Sequence, residues 1–430
     1  MTYASAVAFL YGLQKHGIKL GLHNIRAILS RLERPDHRYR ALHIAGTNGK
    51  GSTAAMATSI LTAAGYRVGL YTSPHLIDFR ERIRVDGVMI AEGRVSELVA
   101  RIAMLAGDDV PLTFFEFTTA VAFQYFAEAQ VDVAVLEVGM GGRFDATNVV
   151  EPVATAITTI ALDHEEYLGH TIEQIAHEKA GIIKSGVPVV WGRLNEQAVH
   201  VIQETAASLG APVHRLGRDF DVHGEPALFR YAGIRGTHHG LSCPLQGRHQ
   251  LDNAACAIAL VEAAESSGLR IEPTAVKNGL AATQWEGRLE VVDRNPSVVL
   301  DGAHNPEAAG VLAAFLVDFR AAHLGSRVVL VLGMMRDKAH EPFVQILRPY
   351  IDELIVTQAE IARAATVHEL SADLASLMPS LHLVPSPCEA LALARRLATS
   401  VDLICVAGSL MLVGDMKALL RGRTLSPVRG

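Results

Sequence analysis

Short apolar, β-branched runs alternate along the chain with alanine-rich stretches of helical period. The runs Ala41–Ala45, Val131–Glu137, Val153–Thr159, Val187–Trp191, Val298–Leu300, Val328–Leu332, Leu354–Thr357 and Leu403–Ala407 predict strands. Between them Ser52–Ala64, Thr118–Ala129, Ile172–Ile183 and Asn253–Ser266 predict helices. Strands that are apolar throughout, each separated from the next by a helix, belong to a parallel sheet covered on both faces. The expected class is therefore α/β. The rhythm breaks between about Phe220 and Arg248, where Gly, His and short alternating pairs suggest a small antiparallel excursion. Asp293–Ser297, a polar segment with a proline between two strand-like runs, is the expected boundary, giving domains 1–295 and 296–430.

Length agrees with two domains, because single cores stop growing near ~250–300 residues and this chain has 430. Its 39 basic and 45 acidic residues leave a net charge of −6, which argues against a broad basic face for nucleic acid or anionic lipid. Mean hydropathy is +0.23, yet no apolar run approaches the ~18 residues of a spanning helix. The N-terminus has no basic segment ahead of its apolar residues, so no secretion signal is expected. Cys243, Cys256, Cys388 and Cys405 stand far apart and read as reduced thiols of a cytoplasmic protein. The basic tail from Arg421 onward is expected to fray.

The most specific local signal is Gly46-Thr47-Asn48-Gly49-Lys50-Gly51-Ser52-Thr53, between a strand and a helix. Backbone N–H groups at such a helix start can cradle phosphate oxygens. Lys50 adds a point charge, and Ser52 or Thr53 can reach Mg²⁺. The spacing departs from GxxxxGK[ST], and a bare strand–helix turn is the alternative. Glu137 ends a strand and is followed by the glycines Gly139, Gly141 and Gly142; His164 follows the next strand. In an open parallel sheet both would face the crevice of the phosphate loop. A surface ion pair is the bland reading of Glu137, and spacing alone favours an ion pair for Lys179.

Tyr71–Leu76 and Asp145–Asn148 are polar loops that either line a pocket or simply turn the chain. Phe114–Thr119 reads as core around a helix start, His238-His239 as a solvated turn, and Asp252 or Asn253 as an N-cap. Arg288 lies near the expected junction, and Asp301-Gly302-Ala303-His304 follows a second-domain strand. Two strand-end clusters facing one another across a cleft are hard to explain by packing alone. An arginine and a histidine there suit charge on a transferring phosphoryl group.

Ten segments, in order, resemble the folylpolyglutamate synthase/dihydrofolate synthase branch of the Mur ligase family. They are HIAGTNGKGST (43–53), YTSPHL (71–76), FEFTTAVAF (115–123), LEVGMGGRFDATN (136–148), ALDHEEYLG (161–169), IAHEKAGIIK (175–184), GRHQLDNA (247–254), WEGRLE (285–290), LDGAHNP (300–306) and GSLMLVG (408–414). The resemblance implies an N-terminal P-loop ATPase domain with a parallel sheet and a smaller Rossmann-like C-terminal domain. It implies ATP-driven amide formation, in which L-glutamate joins the carboxylate of dihydropteroate or a reduced folate through an acyl phosphate.

By position, the resemblance gives Gly46, Thr47, Asn48, Gly49, Lys50, Gly51, Ser52 and Thr53 to the phosphates of ATP. It adds Asn253, Arg288 and Asp301 as further ATP contacts. Two Mg²⁺ sites are implied, one through Ser52 and one through Ser73, Glu137 and His164. Lys179 is a candidate for carbamylation, the opposite charge from the ion-pair reading. His304 and Ser409 match the glutamate and acyl-phosphate side, and Thr118 and Asp145 the pterin side. The catalytic set is thus Lys50, His164, Lys179, Arg288 and His304. Met411 stands where relatives often carry Tyr. No nucleic-acid or membrane partner is implied, and a monomer is expected. The competing readings are a peptidoglycan-type Mur ligase acting on a UDP-sugar peptide and a non-catalytic ATP-binding switch. Against the first stand Gly51 and a phosphate loop only about 40 residues from the N-terminus; against the second, the full metal set.

Overall fold

The computed structural model describes residues 1–17, 21–378, 381–423 and 425. Most of the tail expected to fray therefore lies outside the described residues. The chain divides into two compact units. The first comprises Met1–Ser73, Phe79–Pro244 and Arg248–Gln284; the second comprises Pro74–Asp78, Leu245–Gly247 and Trp285–Gly430.

The first unit is built on eight strands: β1 (Arg40–Ala45), β2 (Val68–Tyr71), β3 (Ile83–Val85), β4 (Val88–Met89), β5 (Val133–Glu137), β6 (Ala154–Ile157), β7 (Val189–Trp191) and β8 (Val213–Arg215). Their order is β4-β3-β2-β5-β1-β6-β7-β8. From β2 to β8 every neighbouring pair is parallel, while β3 and β4 add an antiparallel hairpin at one edge. That hairpin has its own signal: Asp86-Gly87, both at positive φ, make the tight turn that an Asp-Gly pair favours. β5 throughout and β1 from Ala41 on are buried residue after residue, as strands covered on both faces must be.

On one side the helices Tyr3–Gly12, His23–Arg31, Glu92–Ala106 and Phe114–Glu128 bury Leu10, Ile25, Val99 and Phe123 against Tyr71 and Leu136. Another core joins Ile175 and Ile202 of the helices Ile172–Ala180 and Glu196–Ser208 to Ile157 and Trp191. Side chains of this size stabilise by about 1.5–3 kcal/mol each when fully buried. Helix starts are set locally: Thr113 with Glu116 and Thr171 with Gln174 form reciprocal capping boxes. The excursion is the antiparallel sheet of β9 (Asp221–Glu225), β10 (Leu228–Ala232) and β11 (Thr237–Leu241). His238 and His239 lie in β11 rather than in a turn, and His238 packs against buried Glu262.

The second unit has the sheet β12-β13-β17-β14-β15-β16, formed by β12 (Glu290–Arg294), β13 (Ser297–Leu300), β14 (Val328–Leu332), β15 (Glu353–Val356), β16 (His382–Leu383) and β17 (Leu403–Ala407). All of it is parallel except β12, which pairs antiparallel with β13. The boundary expected at 295/296 therefore falls inside this unit, because Asp293–Ser297 spans the turn of the β12–β13 hairpin. A proline in a polar stretch marks a tight turn as readily as a linker. Cys243, Cys256 and Cys405 are buried thiols and Cys388 is exposed; all four are free. Among the described residues no helix is long and apolar enough to cross a membrane.

Candidate functional site

In the first unit four parallel strands, β2, β5, β1 and β6, end at one edge of the sheet. Ile44 lies level with Glu137 and Ala45 with Ile157, so the loop leaving β1 starts between the ends of β5 and β6. The chain runs from β1 outward to β2, returns to β5, and then crosses β1 to β6. That reversal beside a central strand is where open α/β sheets bind ligands.

The loop Gly46–Gly49 is laced to the segment after β6. Thr47 N donates to Thr159 O at 2.8 Å, Asn48 N to Thr159 Oγ1 at 3.0 Å, and Thr158 Oγ1 to Asn48 O at 2.5 Å. Gly46 and Gly49 both sit at positive φ, 148° and 84°. A Cβ on Gly46 would strike the Thr158 hydroxyl, and one on Gly49 the Asn253 amide oxygen. Glycine is therefore required at both positions. The helix Lys50–Ala63 starts directly from Gly49 with no side-chain cap and no acid in its first turn. Such a bare N-terminus favours an anion.

Lys50 Nζ curls back to donate to Gly46 O at 2.9 Å and Thr47 O at 3.0 Å. Lys179, 4% exposed, donates from the helix Ile172–Ala180 to the same Gly46 O at 3.0 Å. The residue read as an ion-pair partner is thus built into the phosphate loop. Ser52 and Thr53 are buried in the first turn of the helix, and among the described residues Thr53 Oγ1 has no hydrogen-bond partner. Asn253 is no N-cap: the helix His249–Ala264 begins four residues earlier, and Asn253 is inside it facing Gly49. Its Nδ2 donates to Gln250 Oε1 at 2.9 Å.

Glu137, 5% exposed, accepts from Ser73 N at 3.1 Å, which brings two of the sequence candidates together. His164 lies beyond β6 at φ 51°, at the start of the short helix Glu165–Leu168. Its left-handed backbone costs about 1–2 kcal/mol in a non-glycine residue. Among the described residues no three His, Cys, Asp or Glu side chains form a metal-binding group. The Glu137 carboxylate and the hydroxyls of Ser52 and Ser73 are oxygen donors of the kind Mg²⁺ takes, its shell being completed by phosphate oxygens and water.

Asp145 is the hub of the glycine-rich loop after β5. Its Oδ2 accepts from Gly139 N and Met140 N at 3.0 Å each, and its Oδ1 from Thr147 N at 3.0 Å and Thr147 Oγ1 at 2.5 Å. Burial pushes its carboxyl up, against four donors that favour the ionised form. Thr147 Oγ1 in turn meets His43 Nε2 at 2.8 Å. With the Thr147 proton given to Asp145, His43 must donate from Nε2, and burial lowers its pKa to about 3. Thr118, expected to line the pocket, is fully buried and bonds Tyr71 Oη at 3.0 Å. Burial first, with Asp145 nearby, drives the Tyr71 hydroxyl up to about 12. His43 escaped the sequence reading because it looks like an ordinary strand residue, and Tyr71, read there as the start of a polar loop, is the last residue of β2.

In the second unit β13 and β17 are parallel neighbours, so Asp301 and Ser409 follow adjacent strand ends. Gly408 N donates to Ala303 O at 2.8 Å, and His304 Nδ1 to Gly302 O at 2.7 Å. A carbonyl only accepts, so a proton is on Nδ1, and in the neutral imidazole Nε2 then carries the lone pair. Asp301 accepts from Leu289 N at 2.8 Å and Ala303 N at 2.9 Å. Arg288 Nη1 donates to Gly287 O at 2.9 Å and lies against Gly302. Ser409 caps the helix Leu410–Arg421, its Oγ accepting from Met411 N at 3.0 Å. Arg288, Asp301, His304 and Ser409 thus gather around one loop.

Residues 44–261 match the Mur ligase middle domain, and residues 287–410 the Mur ligase glutamate ligase domain. The dihydrofolate synthase/folylpolyglutamate synthase of Bacillus subtilis is 36% identical over 431 residues, covering 97% of this chain and 99% of that protein. The solved structure of Escherichia coli FolC in complex with DHPP and ADP is similar with a TM-score of 0.90 at 34% identity, covering 98% of each chain. The bifunctional folylpolyglutamate synthase/dihydrofolate synthase of Yersinia pestis, complexed with AMPPNP and a Mn ion, is similar with a TM-score of 0.88 at 33% identity and the same coverage.

Proposed function

The chain belongs to the folylpolyglutamate synthase/dihydrofolate synthase branch of the Mur ligase family and is an ATP-dependent glutamate ligase, and from that premise we propose which of its residues do the work. The observation that carries the assignment is the sheet edge of the first unit. There a glycine loop with two lysines on one carbonyl stands level with a carboxylate. We read it as a phosphate cradle and a metal ligand at one place.

ATP is assigned to Gly46–Thr53, with Lys50 on its phosphates and Asn253 beside Gly49. Ser52, and Ser73 with Glu137 and His164, would hold Mg²⁺, which neutralises phosphate charge when bound. The substrate carboxylate of dihydropteroate or a reduced folate takes the γ-phosphoryl group and releases ADP. The amine of L-glutamate then attacks the acyl carbon, the C–O bond to phosphate breaks, and the amine loses a proton. Arg288 and Asp301 serve ATP, Arg288 at the γ-phosphoryl. His304 and Ser409 serve glutamate, and the lone pair on His304 Nε2 suits it to receive the amine's proton. Thr118 and Asp145 serve the pterin end. As an amine, Lys179 supports Gly46 O. As a carbamate it keeps one N–H for that bond and adds an anion able to support Mg²⁺.

Glutamate-dependent phosphate release, measured side by side with dihydropteroate and tetrahydrofolate and with or without bicarbonate, tests the reading. Turnover with either pterin substrate supports it, and stimulation by bicarbonate supports the carbamate. Turnover confined to UDP-linked peptides, or ATP binding with no glutamate-dependent turnover, would overturn it.

A further inference from the structure

The segment Trp285–Glu290, which carries Arg288, is held in an unusual backbone shape: Gly287 has φ 70° and Leu289 φ 44°. Three carboxylates hold it. Asp301 takes Leu289 N, Glu290 takes Gly287 N at 2.7 Å, and Glu286 pairs with Arg421 at 2.7 Å. Gly302 N also donates to Gly287 O at 3.0 Å, so that oxygen takes both this amide and Arg288 Nη1.

Behind the segment lies Lys417, 1% exposed, on the helix that Ser409 caps. Its Nζ stands 2.6 Å from both oxygens of Glu290 and 3.0 Å from Glu286. Burial alone would raise the Glu286 carboxyl, but Arg421 and Lys417 outweigh it and hold it below its ordinary value. A buried ammonium is costly unless paired, and an apolar residue would pack here with less penalty. What the charge adds is geometry: one cation fixes the two acids that bracket Gly287 and Arg288.

We propose that Lys417 is a positioning residue for Arg288, clamping the Trp285–Glu290 turn to the helix capped by Ser409 so that the guanidinium is presented to the γ-phosphoryl group. The inference rests on the assignment of Arg288 to ATP made above. Lys417 touches no substrate, and its effect runs through Glu290 and Gly287.

A merely structural role would lower stability without changing nucleotide discrimination. The test is therefore the ratio of AMPPNP to ADP affinity, with kcat per folded molecule, in Lys417→Met, Lys417→Arg and Arg288→Ala. Clamping predicts that Lys417→Met lowers kcat and loses at least ~5-fold in the affinity ratio, with ADP binding within about twofold of the parent. Lys417→Arg, which keeps the cation, recovers most of both. Should Lys417→Met fail to fold, Glu290→Gln makes the same measurement, since it keeps an acceptor for Gly287 N and removes the ion pair. An unchanged ratio in the folded Lys417 or Glu290 variant, while Arg288→Ala loses it, overturns the clamp alone. An unchanged ratio in Arg288→Ala overturns the assignment of Arg288 and the clamp with it.

Discussion

Lys50→Ala separates the lysine's structural share from its chemical one. In the structure Lys50 Nζ serves two carbonyls, Gly46 O and Thr47 O. Gly46 O keeps a donor after the substitution, because Lys179 Nζ also reaches it at 3.0 Å. Thr47 O loses this donor. A hydrogen bond to a charged group contributes about 1.5–3 kcal/mol, and alanine is at least as good a helix former as lysine. The expected loss of stability is therefore only about 1–2 kcal/mol, or about 2–6 °C in Tm for a large unit. The chemical loss is greater. Removing one preorganised electrostatic donor from a transferring group costs about 10²–10³ in kcat, or ~3–4 kcal/mol of barrier. Thermal melting and glutamate-dependent ADP release on the purified variant read the two separately. Near-normal ADP release would refute the assignment of Lys50. A stability loss above ~4 kcal/mol would show that the lysine chiefly holds the loop together.

Gly49→Ala must place a methyl group on the Asn253 amide at a left-handed backbone position; a loss of about 1–3 kcal/mol and of ATP binding is expected, by denaturation and calorimetry. Glu137→Gln removes the carboxylate beside Ser73, so the Mg²⁺ concentration for half-maximal activity should rise by about tenfold or more, and an unchanged requirement would remove Glu137 from the metal site. His43 stays neutral in the fold down to about pH 3, whereas the unfolded chain takes up a proton near pH ~6.5. Its lowered pKa makes the unfolded state bind more protons between those values, so stability falls on acidification. Between pH 7 and 5 this amounts to about 2 kcal/mol. His43→Gln, whose amide nitrogen reaches the Nε2 position, keeps a donor for Thr147 and should flatten that part of the urea-denaturation profile.

How much of this was legible in the sequence depends on the range over which each feature is determined. The strands Val328–Leu332 and Leu403–Ala407 were legible to the residue, since continuous burial leaves only apolar, largely β-branched side chains. The small sheet at 221–241 was visible through its broken rhythm. The division between units was misplaced because a hairpin turn and a linker share the same composition. The N-cap reading of Asn253 failed because an Asn near a helix start is ordinarily a cap, and its contact with Gly49 spans about two hundred residues. The bond from Lys179 to the Gly46 carbonyl, 133 positions away, was not legible for the same reason, and carbonyls carry no residue type.

That last point bears on the chemistry. A chain with net charge −6 that handles ATP, a folate and glutamate has no overall field to attract anions. Its attraction must be local, and the residues assigned to ATP supply it without a basic patch. A helix start with no acid in its first turn supplies amides, and two lysines are folded onto one carbonyl of the loop. Cations tied to backbone oxygens lose little further freedom when an anion arrives, which is the sense in which such a site is preorganised. In the second unit the same economy takes another form. A buried carboxylate on Leu289 N and a half-buried one on Gly287 N hold the turn that carries Arg288, so acids are what fix the one guanidinium assigned to the phosphoryl group. Acidic residues at such a site therefore argue for an anionic ligand, not against it, whenever they accept from backbone or hold a cation in place.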